Sequence, residues 1–386
     1  MTASLYIHVP FCSGTCDYCD FYSLPVKKDD PRLEAFIDKV LSDTEARLAC
    51  HGIGRVPTLY IGGGTPSVLG AKGILRLLRG LESLWPGEAR PFEITVEANP
   101  ESADRDFLSA AAEGGATRLS LGVQSFREPS RRLVRRTGDG GLLPERLEAA
   151  AEIFPGAFSA DIISGLPLQT EKILLEDLER LLSYRPAHVS LYALTVEEGT
   201  PLAGKSRKAA GLPPPDQADR LWIRGRDFLE EAGYGQYEVS NFCLPGKESR
   251  HNIRYWRMEN WLGLGPAASG TLIDDGKGRG LRRTVLPDAD RWLGRETGEL
   301  ETGEFLDPPT LMKETILMGF RYIEGPDAAL FKRRFRRDVD SLIGRTIARW
   351  RERGLMRPDK AALNKEGLLF LDPFIMEAFG ELESCL

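Results

Sequence analysis

Residues 5–21 read LYIHVPFCSGTCDYCDF, a short apolar run that passes directly into a polar loop carrying Cys12, Cys16 and Cys19. The run has the β-branched and aromatic character of a strand. Runs of the same kind recur along the first half of the chain: TLYIGG at 58–63, EITVEA at 93–98, RLSLGV at 118–123, SADIIS at 159–164 and HVSLYAL at 188–194. Between them lie segments of helical spacing, such as Leu33, Phe36, Ile37, Val40 and Leu41, or Ile74, Leu75, Leu77, Leu78 and Leu81. Six strand-helix units in series predict an α/β fold on a parallel sheet with crossover helices. In such folds the site forms at the carboxyl ends of the strands. The runs here end in His8 and the cysteines, in Gly62-Gly63-Gly64-Thr65, in Glu97 and Asn99, in Gln124 and Ser125, and in Asp161, so these residues are expected on one face.

Beyond the repeats the texture changes. Residues 199–215 are rich in Gly, Pro, Lys and Ala and read as a linker or exposed loop. A helix is expected over 216–232, then an irregular, aromatic-rich segment, with a turn or hairpin near 274–283. From about residue 307, helical patterns at 312–320, 327–335 and 339–353 precede LNKEGLLFLD, read as a strand or turn before a last helix. Phe331, Phe335, Val339, Leu342, Ile343, Ile347 and Trp350 keep helical spacing, as a small unit with its own core would. The expected division is a core at 1–235, an irregular connecting segment at 236–305, and a mainly helical, winged-helix-like domain at 306–386.

Composition narrows the functional classes. The 386 residues are 42% hydrophobic and 28% charged, with a net charge of -6, which argues against nucleic-acid binding through bulk electrostatics. The basic stretch KRRFRRD at 332–338 flanks Phe331 and Phe335 and reads as a solvated helix face over a core stripe. Residues 1–10 lack the basic head and apolar run of a signal peptide, and no stretch is apolar enough for a transmembrane segment, which leaves peripheral membrane contact open. Cys50, Cys243 and Cys385 stand alone in sequence, unlike a secreted disulfide scaffold, so a reducing, cytoplasmic location is expected.

Three cysteines at spacings of three and two exceed what one disulfide uses. Zinc would need a fourth ligand, with His8 or Cys243 as candidates. A cubane iron-sulfur cluster takes four thiolates, so three leave one iron open to a cofactor or substrate. Spacing alone admits both.

The pattern Cys-x3-Cys-x2-Cys, with Tyr18 before the last cysteine, resembles the signature of the radical S-adenosylmethionine (SAM) superfamily. Further stretches, YIGGGTPS, EANPES, RLSLGVQSF, GLPLQT, YEVSNF, HNIRYW and LGLGP, are similar to the oxygen-independent coproporphyrinogen III oxidase family, and more closely to its haem-chaperone branch, HemW. The oxidases place another cysteine two residues after the third, where this chain has Phe21. The resemblance runs from about Leu5 into the C-terminal tail, and implies a partial parallel (β/α)6 barrel with a small, mainly helical C-terminal domain.

It also implies a [4Fe-4S] cluster on Cys12, Cys16 and Cys19, with SAM chelating the open iron. By the same resemblance, Gly63, Gly64 and Thr65 approach the cofactor, Glu97 pairs with its ammonium group or ribose hydroxyls, and Tyr6 contacts it from the first strand. Tyr18 and Phe21 wall in the cluster, and Gln124, Arg136 and Asp161 line the rest of the cavity, with Arg135 competing for the role of Arg136. The implied chemistry is one-electron reductive cleavage of SAM to methionine and a 5′-deoxyadenosyl radical, fed by a flavodoxin or ferredoxin. In the chaperone branch the element at 251–256 is associated with haem, so His251 is the implied haem ligand and a haem-accepting protein the implied partner. Two family histidines are absent, with Gly138 and Ser269 in their places. The resemblance leaves two roles open, haem delivery and radical chemistry on a tetrapyrrole, the latter by oxidative decarboxylation or methyl transfer.

Overall fold

The computed structural model describes residues 1–385 except 88 and 206. All six runs form strands: β1 (Ser4–Val9), β2 (Thr58–Gly63), β3 (Glu93–Ala98), β4 (Arg118–Gln124), β5 (Phe158–Ser164) and β6 (His188–Ala193). They lie side by side in chain order, each parallel to the next. The helices between them are α1 (Pro31–Cys50), α2 (Gly70–Glu82), α3 (Arg105–Glu113), α4 (Glu128–Leu133), α5 (Leu143–Ile153) and α6 (Glu171–Leu182), with α7 (Pro215–Glu231) after β6. Local signals start them: Asp30 caps α1 ahead of Pro31, and Asp104 and Thr170 cap α3 and α6 by accepting from Phe107 N and Ile173 N.

The pleat of each strand sorts its side chains. Leu5, Ile7, Leu59, Ile61, Val96, Leu119, Leu121, Ile162 and Val189 are fully buried in the apolar core shared with the helices. Each contributes about 1.5–3 kcal/mol on leaving water. The alternate residues, Tyr6, Tyr60, Glu97, Ser120 and Asp161 among them, share the opposite, concave face. That face is polar, and it is where the site lies.

Segment 236–305 is not the irregular connector expected from its aromatic and glycine content. It carries β7 (Asn241–Cys243), antiparallel to β6, then β8 (Trp261–Leu264), which joins the other edge parallel to β1. Next to β8 come β9 (Ser269–Asp274), β10 (Arg279–Val285) and β11 (Glu301–Leu306), all antiparallel. The result is one 12-stranded sheet, completed at the β7 edge by Gly235–Gln236. Its two edges do not pair with each other, so the barrel is partial.

Helix α8 (Arg250–Trp256) sits against the amino ends of β1 to β3. The backbone N–H groups of Arg250 and His251 donate to the Glu93 carboxylate at 2.9 and 2.8 Å, and Arg254 Nε donates to Ser4 Oγ at 2.7 Å. The C-terminal unit is helical: α9 (Pro308–Gly319), α10 (Ala328–Phe335), α11 (Asp340–Glu352) and α12 (Leu371–Glu383) enclose a separate core around Phe320, Phe331, Trp350 and Phe374. LNKEGLLFLD is helical rather than a strand, with a turn at Lys365–Leu368 running into α12. The basic run at 332–338 is tied into the fold, with Arg334 buried and donating to Asp275 at 2.8 Å and to Met258 O at 2.9 Å. Among the described residues no helix is long and apolar enough to cross a membrane.

Candidate metal and cofactor centre

The cysteine loop leaves β1 and is held from three sides. Gly64 N donates to Val9 O at 2.8 Å and Thr65 N to Phe11 O at 2.7 Å, stitching it to the glycine turn after β2. Asp17, 1% exposed at its side chain, receives Lys205 Nζ at 2.6 Å and is paired with Arg135. Burial opposes the charge of Asp17, but the hydrogen bonds from Lys205 and Arg135 more than offset it and hold the carboxyl below its usual range. Leu202 N donates to Asp17 O at 2.9 Å, and Leu202, Ala210 and Leu212 are buried. Residues 199–205 and 207–212 are therefore the exposed loop that their composition admits, laid as a strap over the cysteine loop, and not a linker.

The glycines are needed for packing within the turn. A Cβ on Gly62 would stand 2.8 Å from the Glu97 carboxyl carbon, one on Gly63 2.6 Å from His8 Nδ1, and one on Gly64 2.6 Å from Phe11 O. Gly63 also has φ +104°, which side-chain-bearing residues rarely adopt. The room that the missing side chains leave is filled by the protein's own atoms.

The loop forms the rim of a cavity of about 350 Å³ at the carboxyl ends of the strands. Cys12, Cys16 and Cys19 line it together with Gly63, Gly64, Thr65, Glu97, Gln124, Arg136 and Asp161, with Tyr18 in its wall and exposed Phe21 at its mouth. Tyr6 does not line it: the ring stacks against Tyr60, and its hydroxyl meets His8 Nδ1 at 3.0 Å.

Polar contacts set each side chain. Cys12 Sγ lies 3.0 Å from Thr65 Oγ1, which accepts from Asn99 Nδ2 at 3.0 Å. Asn99 Oδ1 accepts from Arg136 Nη2 at 2.8 Å, and the same nitrogen donates to Gly122 O at 2.6 Å. Arg136 Nη1 is 3.7 Å from Cys16 Sγ. Burial opposes the Arg136 charge, but Tyr18 and Cys16 beside it raise its pKa overall. Arg135 points away toward Asp17, which decides between the two arginines. Glu97 accepts from Tyr60 OH at 2.6 Å and from Gly63 N at 3.3 Å, yet burial pushes its carboxyl up to about 7. Burial also raises Asp161, and pushes the Cys19 thiol up to about 11 and the Cys12 thiol upward.

Several groups here want a partner. Gln124 Oε1 and Arg136 Nε are buried with no hydrogen-bond partner among the described residues. Gln124 also holds φ +67° beside a bulge in β4, a strained backbone that aims it at the cavity. The Cys12 and Cys19 thiols resist ionising without a compensating cation, which suits an iron-sulfur cluster. A single zinc suits them less. Among the described residues no three His, Cys, Asp or Glu side chains gather as a one-ion site. His8 has both ring nitrogens engaged, by Tyr6 OH and Tyr22 O, and Cys243 pairs in register with His188 at the far end of β6.

His251, expected as a haem ligand, does not face the cysteine cavity. It is fully buried at the amino ends of the strands, with Nδ1 2.9 Å from Thr58 Oγ1 and Nε2 2.7 Å from Tyr255 OH. Burial, then Arg254 and Arg118, push its pKa down to about 3, so the ring is neutral and structural. Tyr60, Ser120 and Tyr192 are site residues that the motifs alone did not mark. All share the concave face by the period of two that runs through Glu97 and Asp161, and that period is the signal that finds them.

Comparison with known proteins agrees with this geometry. The family model of the Radical SAM superfamily matches residues 6–182. The protein named Heme chaperone HemW of Lactococcus lactis is 32% identical over 94% of this chain and 92% of its own. The mouse protein named Radical S-adenosyl methionine domain-containing protein 1, mitochondrial, is 35% identical over 83% of this chain and 73% of its own. The solved structure of coproporphyrinogen III oxidase (HemN) from Escherichia coli, a radical SAM enzyme, superposes with a TM-score of 0.79 at 23% identity, covering 100% of this chain and 91% of that one, a likeness of fold. The chain belongs to the radical SAM superfamily, in the family that holds the proteins named haem chaperone HemW.

Proposed function

We propose that this protein is a haem chaperone that holds a [4Fe-4S] cluster on Cys12, Cys16 and Cys19, binds SAM in the adjoining cavity and passes haem to an acceptor protein. The observation that carries the reading is the three-thiol loop opening onto a cavity that holds Glu97, Gln124, Arg136 and Asp161, with exposed Phe21 where an oxidase has a further cysteine. When bound, the cluster and SAM supply one-electron reductive chemistry at a carbon-sulfur bond, for which a flavodoxin or ferredoxin is the fitting donor. The chain's own residues provide the rest. Glu97 offers a carboxylate to an ammonium group, Asp161 and Gln124 offer acceptors, and Arg136 braces Asn99 and the Cys16 sulfur. Haem is the cargo, and its axial ligand lies outside the buried His251 pocket. A cytoplasmic setting, where thiols stay reduced, belongs to this reading.

Anaerobic reconstitution with iron and sulfide, followed by haem titration, tests it. The expected result is a visible band bleached by dithionite, then a Soret shift that persists in folded His251→Ala. No Soret shift in the wild type overturns the chaperone reading. Loss of propionate carboxyl groups from coproporphyrinogen, with 5′-deoxyadenosine formed, assigns the protein to the oxidases instead.

A further inference from the structure

A second cavity, of about 250 Å³, opens at the amino ends of β3 to β6 and shares no lining residue with the first. Arg118, the first residue of β4, lies at its floor and is only 8% exposed. Among the described residues its guanidinium makes no side-chain hydrogen bond and no ion pair. Lys247 and Arg250, both exposed, stand at the same cavity and likewise lack ion pairs among the described residues.

Burial opposes the Arg118 charge, but Glu93 foremost, with Tyr60, Tyr237 and Asp161, favours it, and none of them makes a hydrogen bond to the guanidinium among the described residues. Both oxygens of Glu93 are committed to the backbone N–H groups at the start of α8, so the cavity sets two carboxylates, Glu93 and Glu248, against three cations. His188 adds no acceptor for the guanidinium. Its ring nitrogens lie 2.8 Å from Ser159 Oγ and 2.8 Å from Tyr237 OH. A buried guanidinium that makes no hydrogen bond leaves its fork of donors open, and that fork matches a carboxylate or phosphate group.

We propose that this cavity is a binding site for a small oxyanion, a carboxylate or phosphate group, held by Arg118 at the floor and by Lys247 and Arg250 at the mouth. The site is separate from the cysteine cavity, and nothing in the haem reading depends on it.

Isothermal titration of the cluster-reconstituted protein with inorganic phosphate and with malonate, at fixed ionic strength in chloride, tests the assignment. Wild type is expected to bind at least one of them, and Arg118→Gln to bind it about tenfold more weakly, as loss of a charge-assisted hydrogen bond implies. Tighter binding of phosphate identifies a phosphate group as the natural ligand, and tighter binding of malonate a carboxylate. Should Arg118→Gln fail to fold, the double variant Lys247→Gln/Arg250→Gln changes only exposed side chains and is expected to weaken binding about fivefold. Absence of binding in the wild type, or binding that survives in these variants but vanishes in Arg136→Gln, overturns the proposal.

Discussion

If Glu97 receives the ammonium group of SAM, cofactor affinity must follow the ionisation of that carboxyl. Burial drives the Glu97 pKa to about 7, with Asp161 adding to the rise and the Tyr60 and Gly63 hydrogen bonds opposing it. Only the ionised form pairs with a cation. At pH 6 about one carboxyl in eleven is ionised, and at pH 7.5 about three in four, so the apparent affinity for SAM should fall about eightfold between them. The sign follows from linkage: a group protonated in the free protein and ionised in the complex must release a proton on binding, which acid opposes. The cofactor's own amino group, at about 7.7–8.0, loses about a quarter or more of its charge by pH 7.5 and trims the expected fall to about five- to sixfold. Equilibrium dialysis of SAM against reconstituted wild type and Glu97→Gln, from pH 6 to 7.5, reads the effect. The variant should bind weakly with a flat profile, while Tyr60→Phe, losing the 2.6 Å hydrogen bond, should move the wild-type profile to higher pH by about one unit. A wild-type slope no steeper than that of Glu97→Gln refutes the reasoning.

Gly63→Ala should destabilise the protein by about 2–4 kcal/mol in chemical denaturation, because the methyl group meets the His8 ring and the backbone sits at positive φ; a loss under about 0.5 kcal/mol contradicts this account. Asp17→Asn should release the strap, seen as faster proteolytic cleavage within residues 203–211. Because the Asp17 carboxyl is depressed on folding, its contribution is present above its ordinary pKa and lost as pH falls through the lower folded value, so the stability gap between wild type and variant should close below about pH 4. His251→Ala should cost about 2–4 kcal/mol by stranding Thr58 and Tyr255, measured by thermal or denaturant unfolding.

The strands and the converging strand ends were legible because they depend on local pattern. β-Branched runs recur at helix-length intervals, and a parallel topology brings their carboxyl ends together. Of the later strands, the hairpin expected near 274–283 does join β9 to β10, but β8 and β11 escaped that logic. WLGL is only four residues long and broken by Gly263, and ETGEFL shows charge to solvent at the sheet edge, so their pairing is set by partners distant in sequence. His251 misled for a related reason. A histidine beside two arginines looks exposed, and only the placement of α8 across the amino ends of β1 to β3 buries it. Residues 199–212 carry loop composition, and their packing depends on one salt-bridged aspartate 180 or more residues away, which no local window contains.

The parallel pairing of β8 with β1 has a consequence for how this architecture can be divided. β1 is a central strand only because β8 occupies its outer side, and β8 is reached through α8, which floors the same sheet. Cutting after residue 235 would strip β1 to a bare row of amide and carbonyl groups beside a hydrophobic surface, a template for intermolecular pairing. The sheet is therefore one unit through residue 306, and a fragment cut at 235 is expected to aggregate, which its solubility on expression reads directly.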